Sequence, residues 1–275
     1  MRNNENSPRQ SFDFSEFDRT ISRIREMVRP VMDAMENFRS FMFPIVETIE
    51  KYKSRIIAIG QTLEEATRAL AVIEKMGDAQ FVYWDYMTDD FIDTVVDADN
   101  INKWLREHLL RDRFHSVNNT IDKTLSSPVL QKHKRLYFQS VKAFRNGDSD
   151  LAVTGLASVF DVLLTEISGN PTSNLKARVE AIKKKLENEE LLDHDEYAMI
   201  TLALTLERTL DSFSANSDFK GKEPKGLNRH WIAHGRSTRR KTKLDCVKMI
   251  NLIYGLLLID ELDSTATSSS SEQEK

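Results

Sequence analysis

The sequence has one cysteine, no long apolar run and no apolar stretch near its start, and each of these absences argues against a class of protein. Cys246 is the only cysteine, so no disulfide can form within the chain and a reducing compartment is expected. The apolar runs, such as MINLIYGLLLI, are shorter than the ~20 residues that a membrane span requires. The first residues carry no apolar stretch of the kind that secretory signals contain. We therefore expect a soluble cytoplasmic protein without a membrane partner.

Acidic and basic residues nearly balance over the whole chain but not along it. The net charge is -4 and the pI is about 5.9, which gives the molecule as a whole no general attraction for nucleic acid. From Phe219 to Leu244, however, nine lysines and arginines accompany a single acidic residue, Glu223. Such a segment attracts phosphate groups, although a charged loop can also simply be solvated.

Helix formers are abundant, and apolar residues recur at helical spacing between start and stop signals. The sequence therefore predicts an all-α fold, in which a C-terminal helical bundle is preceded by an additional helical region. The stretch AQFVYWDYM, residues 79–87, has strand-like composition, but a single strand has no partner. We predict a disordered tail at 1–15, a helical region of unassigned role at 16–125, a compact helical domain at 126–264 and a disordered serine-rich tail at 265–275.

Several helix boundaries have local signals. Gly147 is suited to end a helix in the left-handed conformation, and the mixed charges of LKARVEAIKKKLEN, residues 175–188, suggest a solvated helix. Start signals are expected at Thr62 with Glu65, at Ser127 with Pro128, at Asp148 or Ser149, and at Thr242 with Asp245.

The stretch LNRHWIAHGR, residues 227–236, is rich in side chains that can bind or transfer protons, anions or metals. It holds two of the six histidines and two arginines around a tryptophan. We expect a short helix of about two turns, with Gly235 at or just past its end. Three interpretations are open at this point: core packing, a metal site and a catalytic site.

In the packing interpretation, Trp231 and Ile232 are core contacts and the histidines are ordinary amphipathic residues. In the metal interpretation, His230 and His234 share a helical face because they are four residues apart. Zinc catalysis normally uses three protein ligands, and Trp231 stands where the HExxH pattern has its glutamate. Flanking arginines also disfavour a cation, and we predict no metal.

The third interpretation begins with the spacing. The motif resembles the Arg-x4-6-His signature of the HEPN family of small α-helical domains. It consists of Arg229, the polar residue His230, three further residues and His234. The NRH…HG setting and the apolar helix that follows strengthen the resemblance, which covers residues 126–264. It implies a metal-independent ribonuclease without cofactors, commonly a toxin or antiviral effector, which acts on RNA as a homodimer with both motifs in one cleft.

The resemblance also implies roles for individual residues. His234 would be the general base on the ribose 2′-OH, and Arg229 would stabilise the charge that builds on the phosphoryl oxygens. His230 would orient the site or donate a proton to the leaving 5′ oxygen. Asn228 and Asp161 would support the site, and Asp161 lies where related sequences often carry glutamate. The residues expected to bind RNA are Lys225, Arg236, Arg239, Arg240 and Lys241.

An ideal helix presents a geometric difficulty, because five residues separate Arg229 from His234 by about 140°. A long arginine reaching around, a distorted first turn or a dimer would each solve it. A regulatory or antitoxin partner is also expected, with residues 16–125 sensing, regulating or binding. The alternatives are a HEPN-like module that binds RNA or protein without cutting, and a helical scaffold whose basic loop binds another anion.

Overall fold

The computed structural model of the chain describes residues 63–83, 94–111, 114–172, 174–186, 196–215 and 219–273. Of these residues 75% are helical and none forms a strand, so the prediction of an all-α fold is confirmed. The predictions for the tail at 1–15 and for the capping box at Thr62 lie outside the described residues.

Nine α-helices and one 3₁₀ helix have both of their ends among the described residues. They are α1 Leu63–Asp78, α2 Ile101–Leu109, α3 His115–Ser126, the 3₁₀ helix Val129–His133, α4 Lys134–Asn146, α5 Ser149–Ser168, α6 Leu175–Leu186, α7 Glu196–Ser214, α8 Arg229–Ala233 and α9 Lys243–Gln273.

Local signals explain several of these boundaries. Gly147, at a φ of 89°, ends α4 in the left-handed conformation as predicted. Thr242 and Asp245 form the predicted box at the start of α9, where the Asp245 N–H donates to Thr242 Oγ1 at 3.2 Å and the Thr242 N–H donates to Asp245 Oδ2 at 2.8 Å. Pro128 instead precedes the 3₁₀ helix, and α4 begins only at Lys134.

Helix α5 lies at the centre of the core. It packs against α4, α6, α8 and α9, and residues such as Leu156, Phe160 and Leu163 are fully buried. Its length and apolar composition would suffice to cross a membrane, but more than half of the stretch is buried inside the protein. The apolar character of α5 therefore has an explanation in core packing.

One hydrophobic core extends from α1 to α9 and includes Met76, Leu105 and Ile259. Helix α1 packs on α7, and α2 and α3 pack on α9. Described residues on both sides of residue 126, where the sequence suggested a boundary, therefore belong to one compact unit. No linker sequence occurs near residue 126, because residues on both sides of it pack into the same hydrophobic core.

The described part of the strand-like stretch after α1, residues 79–83, lies in the core and forms neither helix nor strand. The Val82 N–H donates to Asn251 Oδ1 at 2.6 Å, and Asn251 Nδ2 donates to the Val82 carbonyl at 2.9 Å. The Tyr83 N–H donates to Thr205 Oγ1 at 2.9 Å. Side chains of α7 and α9 thus supply the hydrogen bonds that a neighbouring strand would otherwise have given.

The end of α9 differs from the expectation of a disordered tail at 265–275, because the helix continues to Gln273. Its first part is anchored in the core by Val247, Ile250 and Ile253, which are fully buried. Once a helix has been nucleated, each further residue adds one hydrogen bond without a new nucleation penalty. A polar, serine-rich extension can therefore continue a helix that it would not start.

Candidate active site

Helix α8 contains the motif and is only five residues long. Asn228 caps its start, because Asn228 Oδ1 accepts hydrogen bonds from the N–H groups of His230 at 3.1 Å and Trp231 at 3.3 Å. Asn228 Nδ2 also donates to the Ala215 carbonyl at 2.9 Å. The predicted supporting residue Asn228 is thus buried and ties α8 to the end of α7.

The end of α8 has the geometry of a Schellman motif. Gly235 adopts a φ of 62°, its N–H donates to the Ile232 carbonyl at 3.1 Å, and the Arg236 N–H donates to the Trp231 carbonyl at 2.9 Å. His234 is the C-cap, with φ and ψ of -91° and 7°. Its side chain is exposed, so the predicted end of the helix at Gly235 is confirmed and His234 faces solvent.

The two apolar residues of the motif have the positions that the packing interpretation requires. Trp231 and Ile232 are 8% and 6% exposed. The Trp231 ring meets the Phe219 ring edge to face, with centroids 5.6 Å apart. Packing therefore accounts for the apolar half of the motif, while the polar half needs a separate explanation.

The two histidine rings are nearly parallel. Their centroids lie 6.4 Å apart with an interplanar angle of 7°, and the His234 ring also meets Phe219 edge to face at 5.5 Å. Burial lowers the pKa of His230, and the nearby charges of Arg229 and His234 lower it further. His230 thus favours the neutral imidazole more strongly than a solvated histidine does.

Arg229 extends from α8 to the central helix α5. Its Nη2 lies 3.1 Å from Asp161 Oδ1, so two residues predicted for the site from distant parts of the sequence are in contact. Arg178 on α6 reaches the same oxygen at 3.1 Å. One carboxylate between two guanidinium groups leaves a net positive charge, which favours an anion at this point.

Arg178 is the functional candidate that sequence reasoning missed. It is 3% exposed, and its Nη1 donates to the Asp161 carbonyl at 3.0 Å and to Thr165 Oγ1 at 2.5 Å. The charged helix was expected to be solvated, but Arg178 stands on its apolar stripe, three residues after Leu175 and four before Ile182. An arginine on a buried stripe is the signal that would have found it.

The angle of about 140° that an ideal helix would place between Arg229 and His234 does not describe the observed structure. Because α8 ends at Ala233, His234 follows the last helical residue and the angle of an ideal helix does not apply. The described contacts join Arg229 to Asp161 and His234 to His230.

Two of the residues predicted to bind RNA have partners within the protein. Arg239 donates to both oxygens of Asp245, at 3.0 and 3.2 Å. Lys241 is 7% exposed and lies 3.3 Å from Glu223 Oε1. Their partners lie within eighteen residues in the sequence, but only the fold shows that the charges meet.

Glu223, the only acidic residue of the basic segment, joins its two ends. It accepts hydrogen bonds from the backbone N–H groups of Thr238 at 2.8 Å and Arg239 at 3.0 Å, and from the Ser237 hydroxyl. Burial opposes its charge, but these hydrogen bonds together with Lys241 outweigh that effect and lower its pKa to about 2. The Glu223 carboxylate therefore offsets part of the positive charge of its own segment.

The other three predicted RNA-binding residues remain at the surface. Lys225, Arg236 and Arg240 are exposed. The Arg236 guanidinium lies over the Phe219 ring, 4.8 Å from its centroid, in a cation–π arrangement. The basic segment thus offers fewer available charges than its sequence suggests.

Over the residues with a described placement, no group of three histidine, cysteine, aspartate or glutamate side chains is arranged to hold a metal ion. No family model, curated protein or solved structure matches the chain. The geometry of α8 and of the residues around it is therefore the basis for assigning a function.

Proposed function

We propose that this protein is a metal-independent endoribonuclease of the HEPN type, which cleaves RNA as a defence or toxin effector in the cytoplasm. One observation carries the proposal. The exposed His234, which is the C-cap of α8, lies parallel to the His230 ring, and Arg229 at the start of α8 joins Asp161 in a cluster with excess positive charge. A base and an anion-stabilising group on one short element suit transesterification at an RNA phosphate.

In this mechanism His234 takes the proton from the ribose 2′-OH, and the 2′ oxygen attacks the adjacent phosphorus. The bond to the 5′ oxygen breaks and that oxygen takes up a proton from His230 or from solvent water, which leaves a 2′,3′-cyclic phosphate and a 5′-OH end. Arg229 stabilises the charge on the phosphoryl oxygens during attack. Its ion pair uses Nη2, and Asp161 restricts the guanidinium to one orientation before RNA binds.

His230 has two proposed roles, orienting the site or protonating the leaving 5′ oxygen. Burial and the neighbouring charges of Arg229 and His234 lower its pKa, which disfavours the imidazolium that a proton donor needs. A bound phosphate would oppose that effect, because a nearby negative charge favours the protonated ring. We assign His230 first to orienting His234, with which it stacks.

The proposed partners are RNA, a second copy of the chain and a regulatory or antitoxin protein. In the homodimer two copies of α8 would line one cleft, as the resemblance to HEPN proteins implies. Sedimentation or light scattering of the purified protein tests this point independently of activity.

The test of the function is RNA cleavage in excess EDTA. Purified wild-type protein, His234→Ala and Arg229→Ala are incubated with total cellular RNA, and the product ends are mapped. We expect wild-type protein alone to produce 2′,3′-cyclic phosphate ends. His115→Ala, which removes an exposed histidine of α3, is the matched control and should cleave like the wild type. Cleavage that survives both motif substitutions would refute the assignment of the site.

A second function is favoured by one observation, the ion pair of Arg229 with Asp161. That contact also suits a purely structural arginine in a module that binds RNA or protein without cutting. The same assay distinguishes the two, because such a module would retain RNA in a binding assay and give no cyclic phosphate ends. Arg229→Lys would keep the charge of such a binding module but would remove the fork that the nuclease requires.

A further inference from the structure

Helix α4 presents an exposed basic surface that the motif does not include. The segment between Asp122 and Asp148 contains no acidic residue. Four exposed cations of α4 surround the exposed Phe138, whose side chain is 52% accessible. These cations are Lys134, Arg135, Lys142 and Arg145.

The five residues lie on one side of the helix. At 100° per residue, Lys134, Arg145, Phe138, Lys142 and Arg135 follow one another within an arc of about 100°, with Phe138 in its middle. From Lys134 to Arg145, eleven positions further along, the helix rises about 17 Å. The surface is thus a narrow positive strip with an aromatic ring at its centre, which we call the α4 strip.

Within the described part of the chain, no carboxylate neutralises the charges of the α4 strip. Across the described ranges no carboxylate forms an ion pair with Lys134, Arg135 or Lys142, and Arg145 donates to the neutral amide oxygen of Asn118 at 3.0 Å. In contrast, Arg239 and Lys241 of the basic segment are paired with Asp245 and Glu223. The α4 strip therefore offers positive charge that no described carboxylate offsets, outside the segment that the sequence singled out.

We infer that the α4 strip binds single-stranded nucleic acid, with the cations at phosphates and Phe138 stacked on a base. Proteins that bind single strands combine a positive track with exposed aromatic rings in this way. That the strand is RNA, delivered to His234, rests on the proposed function.

Two other partners fit the strip less well. A bilayer would need an available apolar face, but Tyr137, Val141 and Phe144 of α4 are buried in the core. A second copy that met the strip across a two-fold axis would place like charges opposite one another. Charge complementarity and the central aromatic ring together favour a polyanion with bases.

The experiment measures binding of a fluorescein-labelled twelve-nucleotide oligouridylate by anisotropy, in EDTA, between low and moderate salt. The full chain carries His234→Ala so that cleavage cannot intervene. Phe138→Ala should weaken binding about five-fold or more, and Phe138→Leu should weaken it nearly as much, because leucine cannot stack on a base. Phe138→Tyr should retain binding.

The cations are tested through the salt dependence. Lys134→Gln with Lys142→Gln should lower the slope of log K against log salt by about 1.4, because two phosphate contacts are lost. The matched control, Lys176→Gln with Lys184→Gln, removes two exposed charges from α6 and should leave the slope unchanged. Equal slopes in the two double variants, or unchanged binding in Phe138→Ala, would overturn the inference.

Vesicles of 70% phosphatidylcholine and 30% phosphatidylserine provide the last arm. Binding to these vesicles that depends on Lys134 and Lys142, without oligonucleotide binding, would show a lipid-binding surface and refute the inference. Failure of the inference is distinguishable from failure of the proposed function. Strip variants that bind like the His234→Ala parent, while the wild type cleaves RNA, refute only the strip. Strip-dependent binding without cleavage by the wild type refutes only the nuclease.

Discussion

Asp161 of α5 and Arg229 of α8 lie 3.1 Å apart and join the motif helix to the central helix of the core. The oxygen of Asp161 that faces Arg229 also faces Arg178 of α6. Helix α8 is too short to hold a fixed orientation by its own hydrogen bonds. The contact with Asp161 therefore couples the position of the proposed site to the packing of α5 and α6.

Asp161→Asn tests this coupling. We expect the substitution to lower the free energy of unfolding by roughly 2 kcal/mol, because two charged hydrogen-bond donors lose their anionic partner. RNA cleavage should fall further than stability explains, since Arg229 loses its fixed orientation. Asp122→Asn, at an exposed position of α3, should change neither property measurably. Urea denaturation and cleavage assays check both, and equal behaviour of the two variants would contradict the coupling.

The pKa of His230 predicts how stability depends on pH. Burial and its charged neighbours lower that pKa below the ordinary value of 6.5 in the folded protein. The unfolded chain therefore takes up a proton first as the pH falls, and stability decreases on going from about pH 7.5 to pH 5.5. His230→Gln should lose less stability over this window than the wild type does. His115→Gln should retain the wild-type dependence, and a parallel decline in all three proteins would disprove the prediction.

The carboxyl group of Glu223 predicts a dependence of stability on pH in a more acidic range than that of His230. Its pKa is lowered from 4.5 to about 2, so the stability that it contributes is present above pH 4.5 and is lost as the pH falls toward 2. At neutral pH Glu223→Gln should cost roughly 3 kcal/mol, because Lys241 is left buried without its anion. Lys225→Gln, in the same loop but exposed, should have little effect. Acid unfolding of Glu223→Gln should also be less steep between these pH values.

The features that could be predicted from the sequence are those that depend on neighbouring residues. Contacts within a few positions are enough to form three of these features. They are the helix end at Gly147, the capping box at Thr242 and Asp245, and the end of the motif helix at Gly235. Local hydrogen bonding is determined by the residue types themselves, so the helices and several of their ends could be inferred.

The features that could not be predicted depend on which helices meet. The ion pair of Arg178 with Asp161 could not be predicted, because the two residues lie on different helices. The local charge of the basic segment suggested an anion-binding loop, but Glu223 gathers its hydrogen bonds from residues at the far end of that segment. Charge counted along a sequence does not distinguish an available cation from one paired in the fold.

Asn228 allows capping to be separated from function. Asn228→Ala should lower stability by about 1 kcal/mol, since the helix loses its cap, and should reduce RNA cleavage because α8 loses its tie to Ala215. Asn100→Ala is the matched control, because Asn100 caps α2 through the Lys103 N–H at 3.0 Å. It should cost similar stability and leave cleavage intact. Loss of cleavage in both variants would indicate a general effect of destabilisation rather than a role for Asn228.

Gly155 of α5 lies against Ser140 of α4. A Cβ atom added at Gly155 would lie 2.1 Å from Ser140 Oγ. Gly155→Ala should therefore destabilise the protein by about 1 to 3 kcal/mol through overpacking, although alanine is the better helix former. Gly221→Ala, where an added Cβ meets nothing within 4 Å, should be nearly neutral.

A double-mutant cycle identifies the cause. Ser140→Ala removes the hydroxyl that would clash and costs about 1 kcal/mol or less through the lost hydrogen bond to the Leu136 carbonyl. The remaining Ser140 Cβ lies 3.2 Å from the position of the added methyl group, a contact that a small helix shift can relieve. Gly155→Ala should consequently be less harmful in the Ser140→Ala background than in the wild type, with a coupling energy of at least about 0.5 kcal/mol. Additive effects in urea denaturation would mean that the hydroxyl is not what requires glycine at this crossing.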